Sequence, residues 1–475
     1  MEGFIKGADV SSLLDVEECG GRFYDQSLVT SHQSLVISHQ SPVTSHQSPV
    51  TSHQSPGDGD KAFPRGGRWH GEAVTDEVVS DAEDAKKAFP LRGRWHGEAV
   101  TDEVDPDAED AKKAFPLGGR CPSAHTGADE GSFDAEDALL ILKRHGVNLI
   151  RLRLWNDPYD ENGRPYGAGT NDLPRTMALA RRCKALDLPW LLDFHYSDFW
   201  ADPGKQYLPK AWAALDADGL ERAVYDFTWE TLTTLKRADL LPAMVAPGNE
   251  LSNGLLWPLG KVPNWANLAR FVSAGVRAVR EVAPAAQVML HLDNGGNNAL
   301  YRSWFDNYRA NGGADFDCIG LSYYPFWHGS LADLKRNLHD LAARYGKPMV
   351  VAETSMAFTL EECNAREGLT PDQKRGLAAN EKTAAAVPYH ATPAGQAAFL
   401  RDLWAVLRSV PNGLGRGLIW WEPAWVPVPG AEWTKPAGLA YIHETGPGGN
   451  EWANQGLFDY DGRVLPAMEE LRIES

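Results

Sequence analysis

VVAETSMAF, residues 350–358, decides the fold. An apolar run leads straight into a carboxylate, Glu353. AMVAPGNE, residues 243–250, does the same and ends at Glu250. A strand body buried on both faces is apolar, so a charge that closes it must sit where water or a partner reaches it. One such glutamate reads equally well as a rim salt bridge. Two of them raise the question of catalysis.

Working outward, similar runs occur at FIKGADV (4–10), VNLIRLRLW (147–155), PWLLDFHY (189–196), QVMLHLD (287–293), CIGLSYY (318–324) and GLIWWEP (417–423). Each is followed by a segment of helical periodicity, such as DAEDALLILKRHG or GSLADLKRNLHDLAARYG. Gly146, Gly346 and Pro284 supply stop signals. Strand and helix alternating in this way predict an α/β fold, a (β/α)8 TIM barrel. A doubly wound open sheet is the alternative, but no GxGxxG follows the first strand. The strands end on Asp9, Arg153, His195, Glu250, Asp293, Tyr324, Glu353 and Glu422. A barrel gathers those polar ends on one face, where its active site lies.

One region breaks the rhythm. SLVTSHQ and its variants repeat with a period of seven over 27–54. KAFP recurs at Lys61, Lys87 and Lys113, and GRWHGEAVTDEV at 67–78 and 93–104. Pro interrupts the shorter repeat, which has too few apolar positions for a coiled coil. Its composition predicts a disordered polar segment. Its histidines (His32, His39, His46, His53) read as solvated linker, with metal binding as the lesser alternative. Residues 1–25 and 128–475 are therefore expected to form the barrel. Residues 26–127 are expected to be an insert in the loop after strand one.

The totals bound the function. The 475 residues are 43% hydrophobic, enough for a large globular core. A net charge of −18 disfavours nucleic acid and anionic membrane surfaces. No run approaches the roughly 18 apolar residues of a membrane helix. The N-terminal MEGFIKGADV shows no signal peptide pattern. Five scattered cysteines without CxxC argue against a zinc site or a disulfide framework. Seventeen tryptophans are many; flat rings suit sugar faces, though core packing accounts for others.

Two carboxylates at a barrel mouth among tryptophans suit glycoside cleavage, one protonated to serve the leaving oxygen and one ionised. Asn249 is placed to meet a sugar hydroxyl. Arg153 or Tyr324 is placed to hold Glu353 charged. Which glutamate plays which part does not follow from these residues alone.

GADVSSLL, GVNLIRLRLW, LLDFHYSDFWADPGKQ, APGNELSNGLLWPLG, GLSYYPFWHG, VVAETSMAF, IWWEPAWVPVPG and NQGLFDYDGRVLPAM, in that order, resemble glycoside hydrolase family 53, the endo-β-1,4-galactanases. The resemblance spans 3–25 and 128–470. It implies a retaining hydrolase acting on (arabino)galactan side chains of pectin, with Glu250 as acid/base and Glu353 as nucleophile. It implies no cofactor, secretion, and galactan as the partner; a monomer is expected. Some family members bind calcium in the last loop, but WTKPAGLAYIHETGPGGNEWANQ clusters few acids, so no metal is expected. Trp421 is expected to stack under the sugar at the cleaved bond, Trp425 to add a subsite, and Trp200 to contact substrate. Asn249, His195 and Tyr324 are expected to orient substrate or nucleophile. Asp193 and Asp198 read as sugar ligands or as loop salt bridges. Glu422 is expected to fix a loop, and Asp9 to tie strand one to its neighbours. Cleavage of mannan or glucan is the nearest alternative. A sugar-binding barrel inactivated by its insert is the other.

Overall fold

The computed structural model of the chain describes residues 3–26, 135–363 and 376–472. The repeats, their histidines and nearly all of the expected insert lie outside the described residues.

Eight parallel strands close on themselves: β1 (Ile5–Asp9), β2 (Leu149–Leu154), β3 (Trp190–Phe194), β4 (Met244–Pro247), β5 (Gln287–Leu292), β6 (Cys318–Ser322), β7 (Met349–Thr354) and β8 (Gly415–Trp421). Each pairs with its sequence neighbours, and β1 pairs with β8 to close the barrel. The expected TIM barrel is what forms. Several sequence-based strands overshoot at their C-terminal ends. His195, Glu250, Asp293, Tyr324 and Glu422 each stand just past the last paired residue. Glu250 and Glu422 have φ values of +48° and +46°, which the ladder cannot accommodate.

The helices α1 (Ala138–Arg144), α2 (Leu173–Ala185), α3 (Ala217–Arg237), α4 (Trp265–Val282), α5 (Asn298–Ala310), α6 (Leu331–Tyr345) and α7 (Pro393–Arg408) connect successive strands. Each starts on a residue whose side chain accepts a backbone N–H of the first turn: Asp137, Asp172, Asp216, Asn264, Asn297, Ser330 and Thr392. Such a cap is worth about 1 kcal/mol. Ser330 and Asp333 form a reciprocal capping box. Gly346 ends α6 in the left-handed conformation, as its position in the sequence predicts.

Alternation along the strands builds the site. Residues two apart share a face. Ile5, Leu149, Leu191, Met244, Met289, Cys318, Val350 and Ile419 belong to an apolar cluster of their own, the filling of the barrel. Two positions further along several of these strands stand Arg151, Asp193, His291 and Gly320. Beyond them come Asp9, Arg153 and Ser322, and past the paired residues His195 and Asp293. The inward face thus changes from apolar to polar toward the C-terminal mouth. The opposite face packs the helices, with Ile150, Leu192, Val245, Val288, Ile319 and Val351 in the main core. Register shifts between Leu321 and Ser322, and between Val351 and Thr354, interrupt the regular ladder beside Glu353. Irregularities of this kind re-aim side chains next to active sites.

Candidate active site

A cavity of about 230 Å³ opens at the C-terminal mouth of the barrel. Glu250, Glu353, Asn249, Arg153, His195 and Tyr324 line it, so the barrel brings these predicted residues together. Trp200 and Trp421 form part of the wall. Sequence reasoning passed over Trp327, Trp433 and Trp452, which also line the cavity. They sit in loops where no periodicity marks them; WHG, EWT and NEW were visible only as aromatic residues outside the strands. Trp200 and Trp433 stack with planes 9° apart. Trp327 remains 42% exposed at the rim, open to a ligand.

Glu353 ends the apolar run of β7 and is held from two sides. Arg151 Nη2 is 2.8 Å from its Oε1, and the Tyr324 hydroxyl donates to its Oε2 at 3.0 Å. The cation is Arg151, not the expected Arg153. Arg151 also contacts Asp9 Oδ2 and Asp193 Oδ2, each at 2.7 Å, and donates to Asn249 Oδ1 at 3.0 Å. Arg153 instead meets Asp9 at 3.1 Å and Glu422 at 2.6 Å. Its guanidinium lies 4.5 Å from the centre of the Trp200 ring. Asp9 therefore bridges both arginines. Glu422 also accepts from Ser12 Oγ at 2.9 Å, which fastens the loop after β1 to the end of β8.

Among the described residues no cation pairs with Glu250. Its Oε1 lies 2.6 Å from Ser322 Oγ. Burial pushes its carboxyl well above the usual carboxylate range, and the negative charge of Glu353 pushes it further. Burial raises Glu353 as well, but the Arg151 charge opposes that shift. The two carboxyls thus sit in environments that pull apart: Glu353 is the one that ionises first, and Glu250 keeps its proton.

The sign of this shift has a measurable consequence. A carboxyl raised in the folded state contributes stability that is complete below its unfolded pKa and is lost as pH rises through the folded one. Glu250→Gln removes that loss and retains the shape. The variant is expected to melt higher than the parent at pH 8, by about 2–4 °C per kcal/mol recovered, with the gap closing toward pH 4. Melting curves at both pH values check this; an equal gap at the two would contradict it.

The remaining predicted residues lie behind the wall. Asp193 is fully buried between Arg151 and His195 Nε2, the latter at 3.2 Å. His195 Nδ1 faces the Trp155 indole N–H and the Ala201 backbone N–H, so it accepts, and its proton is on Nε2 toward Asp193. Asp198 accepts from the backbone N–H groups of Asp157 and Lys210. Trp425 is buried behind Trp421, with its indole N–H on Asn450 Oδ1 at 2.7 Å. Neither Asp193 nor Asp198 nor Trp425 lines the cavity.

One group of metal-ligand type occurs among the described residues: oxygens of Glu250 and Glu353 and a nitrogen of His291 lie within 4.8 Å of one another. The donor set does not suit a cation. Both His291 nitrogens are engaged, with Asn249 and Ser322, and Glu353 faces Arg151.

A sequence model described as glycosyl hydrolase family 53 matches residues 123–471. The chain belongs to this family. It is a glycoside hydrolase. Over 345 residues it is 42% identical to a Niallia circulans protein named for its place in the bgaB 5′ region, covering 71% of this chain and 86% of that one. It is 34% identical to the endo-β-1,4-galactanase of Bacillus subtilis (strain 168), covering 70% and 78%. The Ignisphaera aggregans family 53 catalytic domain superposes with a TM-score of 0.64 at 40% identity, covering 71% and 88%. The matched residues begin after β1, yet β1 takes the first-strand place between β2 and β8.

Proposed function

We propose that the protein is an endo-acting, retaining hydrolase of β-1,4-galactan, with Glu353 as nucleophile and Glu250 as acid/base. The observation that carries the reading is the carboxyl pair, with oxygens within 4.8 Å of each other and, among the described residues, only Glu353 of the two held by a cation. Retaining enzymes keep their carboxyl groups about 5–5.5 Å apart; inverting ones need about 6.5–9.5 Å to admit a water. In the first step Glu353 attacks the anomeric carbon while Glu250 gives its proton to the departing glycosidic oxygen. In the second, ionised Glu250 takes a proton from water, whose oxygen displaces Glu353 and restores both carboxyls. The wall of Trp200, Trp421, Trp433 and Trp452 offers ring faces to the sugars. Galactan is favoured by the relatives named for it. The (arabino)galactan side chains of pectin are a polymer too large to enter a cell, so we assign the reaction to the outside.

We further propose that residues 26–127 are an insertion the barrel tolerates. The chain on either side of the undescribed stretch is pinned together. The Glu136 N–H donates to the Phe23 carbonyl at 2.9 Å, and Asp25 meets Arg144 at 3.2 Å and His145 at 3.1 Å. Both proposals are tested by reducing-end release from β-1,4-galactan, β-mannan and β-glucan, using the full chain and a version lacking 26–127. Both forms are expected to cut galactan. Activity on mannan or glucan alone would overturn the substrate assignment. Activity only in the shortened form would show that the insert obstructs the cleft.

A further inference from the structure

The reading of Glu250 as acid/base leaves open what keeps its proton in place between turnovers. Behind it runs a chain of buried polar groups that the reaction itself does not use. Asn249 Oδ1 lies 2.8 Å from His291 Nδ1, His291 Nε2 lies 2.8 Å from Ser322 Oγ, and Ser322 Oγ lies 2.6 Å from Glu250 Oε1. Asn249, His291 and Ser322 are at most 4% exposed, so water does not complete their bonds.

The chain has one direction. Asn249 Oδ1 also accepts from Arg151, and its Nδ2 donates to the Ala201 carbonyl at 2.9 Å. Turning the amide over would set NH2 against the guanidinium and oxygen against a carbonyl, so Oδ1 must face His291. His291 Nδ1 therefore carries a proton. The ring is buried beside the Arg151 cation, and it stays neutral. Its Nε2 then has no proton and must accept. Ser322 has one hydroxyl hydrogen, and Nε2 is the acceptor left waiting for it. With that hydrogen committed, Ser322 Oγ can only accept from Glu250, and Glu250 must supply the proton. If Glu250 ionises, either the hydroxyl turns and leaves Nε2 unsatisfied, or two lone pairs face each other at 2.6 Å.

We propose that Asn249, His291 and Ser322 form a one-way hydrogen-bond relay, anchored by Arg151, that holds the acid proton on Glu250. Arg151 then acts on both carboxyls at once. It stabilises the anion of Glu353 directly and the neutral form of Glu250 through three intervening side chains. His291 and Ser322 are positioning residues; neither lines the cavity.

Other titratable groups also bear on Glu250: Glu353 on β7, Asp293 after β5, Asp202 in the loop after β3, Tyr324 after β6 and Tyr301 on α5. Around His291 stand Arg151, Asp193 and His195. All act through charge or burial, and removing one serine hydroxyl leaves them in place. The sign of the effect of Ser322→Ala therefore isolates the relay. If Ser322 accepts from the neutral acid, its loss favours ionisation, and the basic limb of the kcat/KM profile falls. The fall expected is about half to one pH unit, the equivalent of one ordinary hydrogen bond. If Ser322 merely donates to a carboxylate, the limb rises instead.

The experiment is the pH profile of galactan cleavage by the full chain as parent, Ser322→Ala, His291→Leu and the double variant. Alongside it, the Glu250 side-chain carboxyl ¹³C signal is titrated, assigned by its disappearance in Glu250→Gln. In His291→Leu the hydroxyl is released to donate to Glu250, so the limb is expected to fall. Adding Ser322→Ala in that background is expected to raise it, a reversal of sign. Should His291→Leu fail to fold, Ser322→Ala alone decides by its direction. A rise or no change in Ser322→Ala overturns the relay. The ¹³C titration reads the same shift without activity. A Glu250 that titrates as expected in an enzyme indifferent to Glu250→Gln would overturn the acid/base reading and leave the relay standing.

Discussion

Glu353→Gln is expected to lower kcat on galactan by on the order of 10⁴- to 10⁶-fold, the scale seen when a nucleophile of a covalent mechanism is lost. The substitution keeps the shape and both hydrogen-bond positions but cannot form the galactosyl-enzyme. Glu250→Ala is expected to behave differently. An aryl β-1,4-galactobioside with a good leaving group needs little acid help, so its first step survives and the covalent intermediate accumulates. Azide then separates the two roles by stereochemistry. With Glu250→Ala it attacks the intermediate and gives a β-glycosyl azide. With Glu353→Ala it occupies the vacated space and attacks directly, giving the α-azide. The products are distinguished by the anomeric proton coupling. Exchange of the two outcomes would mean that the glutamates have the opposite roles.

Arg151→Met is expected to cost about 3–5 kcal/mol of stability, because breaking a buried pair leaves charge behind without compensation. Here three carboxylates, Asp9, Asp193 and Glu353, share the one guanidinium. Domains are stable by only about 5–15 kcal/mol, so the variant is expected to melt about 10 °C lower or more, or to fail to accumulate. The pH dependence follows from Asp193. Burial alone would raise its carboxyl, but the Arg151 charge overrides burial and holds it below the usual range. A depressed carboxyl contributes stability above its unfolded pKa and loses it as pH falls through the folded one. The parent therefore keeps this contribution into strong acid, while Arg151→Met lacks it at neutral pH. The gap between their melting temperatures is expected to narrow below about pH 4. Arg151→Lys supplies charge without the planar fork that reaches several acceptors, so it is expected to fold yet lose activity. Thermal melts of the three proteins decide; an Arg151→Met variant as stable as the parent would contradict the account of this network.

How much of this was legible depends on the kind of signal. Barrel strands are buried on both faces, so β3 and β7 stand out as apolar runs, and their polar ends are conspicuous. Glu250 and Glu353 were visible for that reason. The order of their roles was not, because it depends on what lies next to each carboxyl. Arg151 comes from β2 and Ser322 from β6, far apart in sequence. The missed polar residues share one property, unlike the missed loop tryptophans. Asp9 was seen as a strand end, but Arg151, His291 and Ser322 lie within or at the close of strands, on the inward face. The alternation Arg151–Arg153 in LIRLRL puts both arginines on one side, yet only the terminal one carries the strand-end signal. Trp421 and Trp425 illustrate the opposite limit. Both follow from WWEPAW as ring-bearing residues near a strand end. The turn that begins at Glu422, with its positive φ, leaves one ring on the cavity and the other behind it.

The proposed reaction is a double displacement through a covalent galactosyl-enzyme. The most direct measurement is ¹H NMR of the anomeric proton of the reducing end first released from β-1,4-galacto-oligosaccharide, before mutarotation. The β-anomer is expected first, with the α-anomer growing in later. Initial release of the α-anomer would mean single displacement by water and would contradict it.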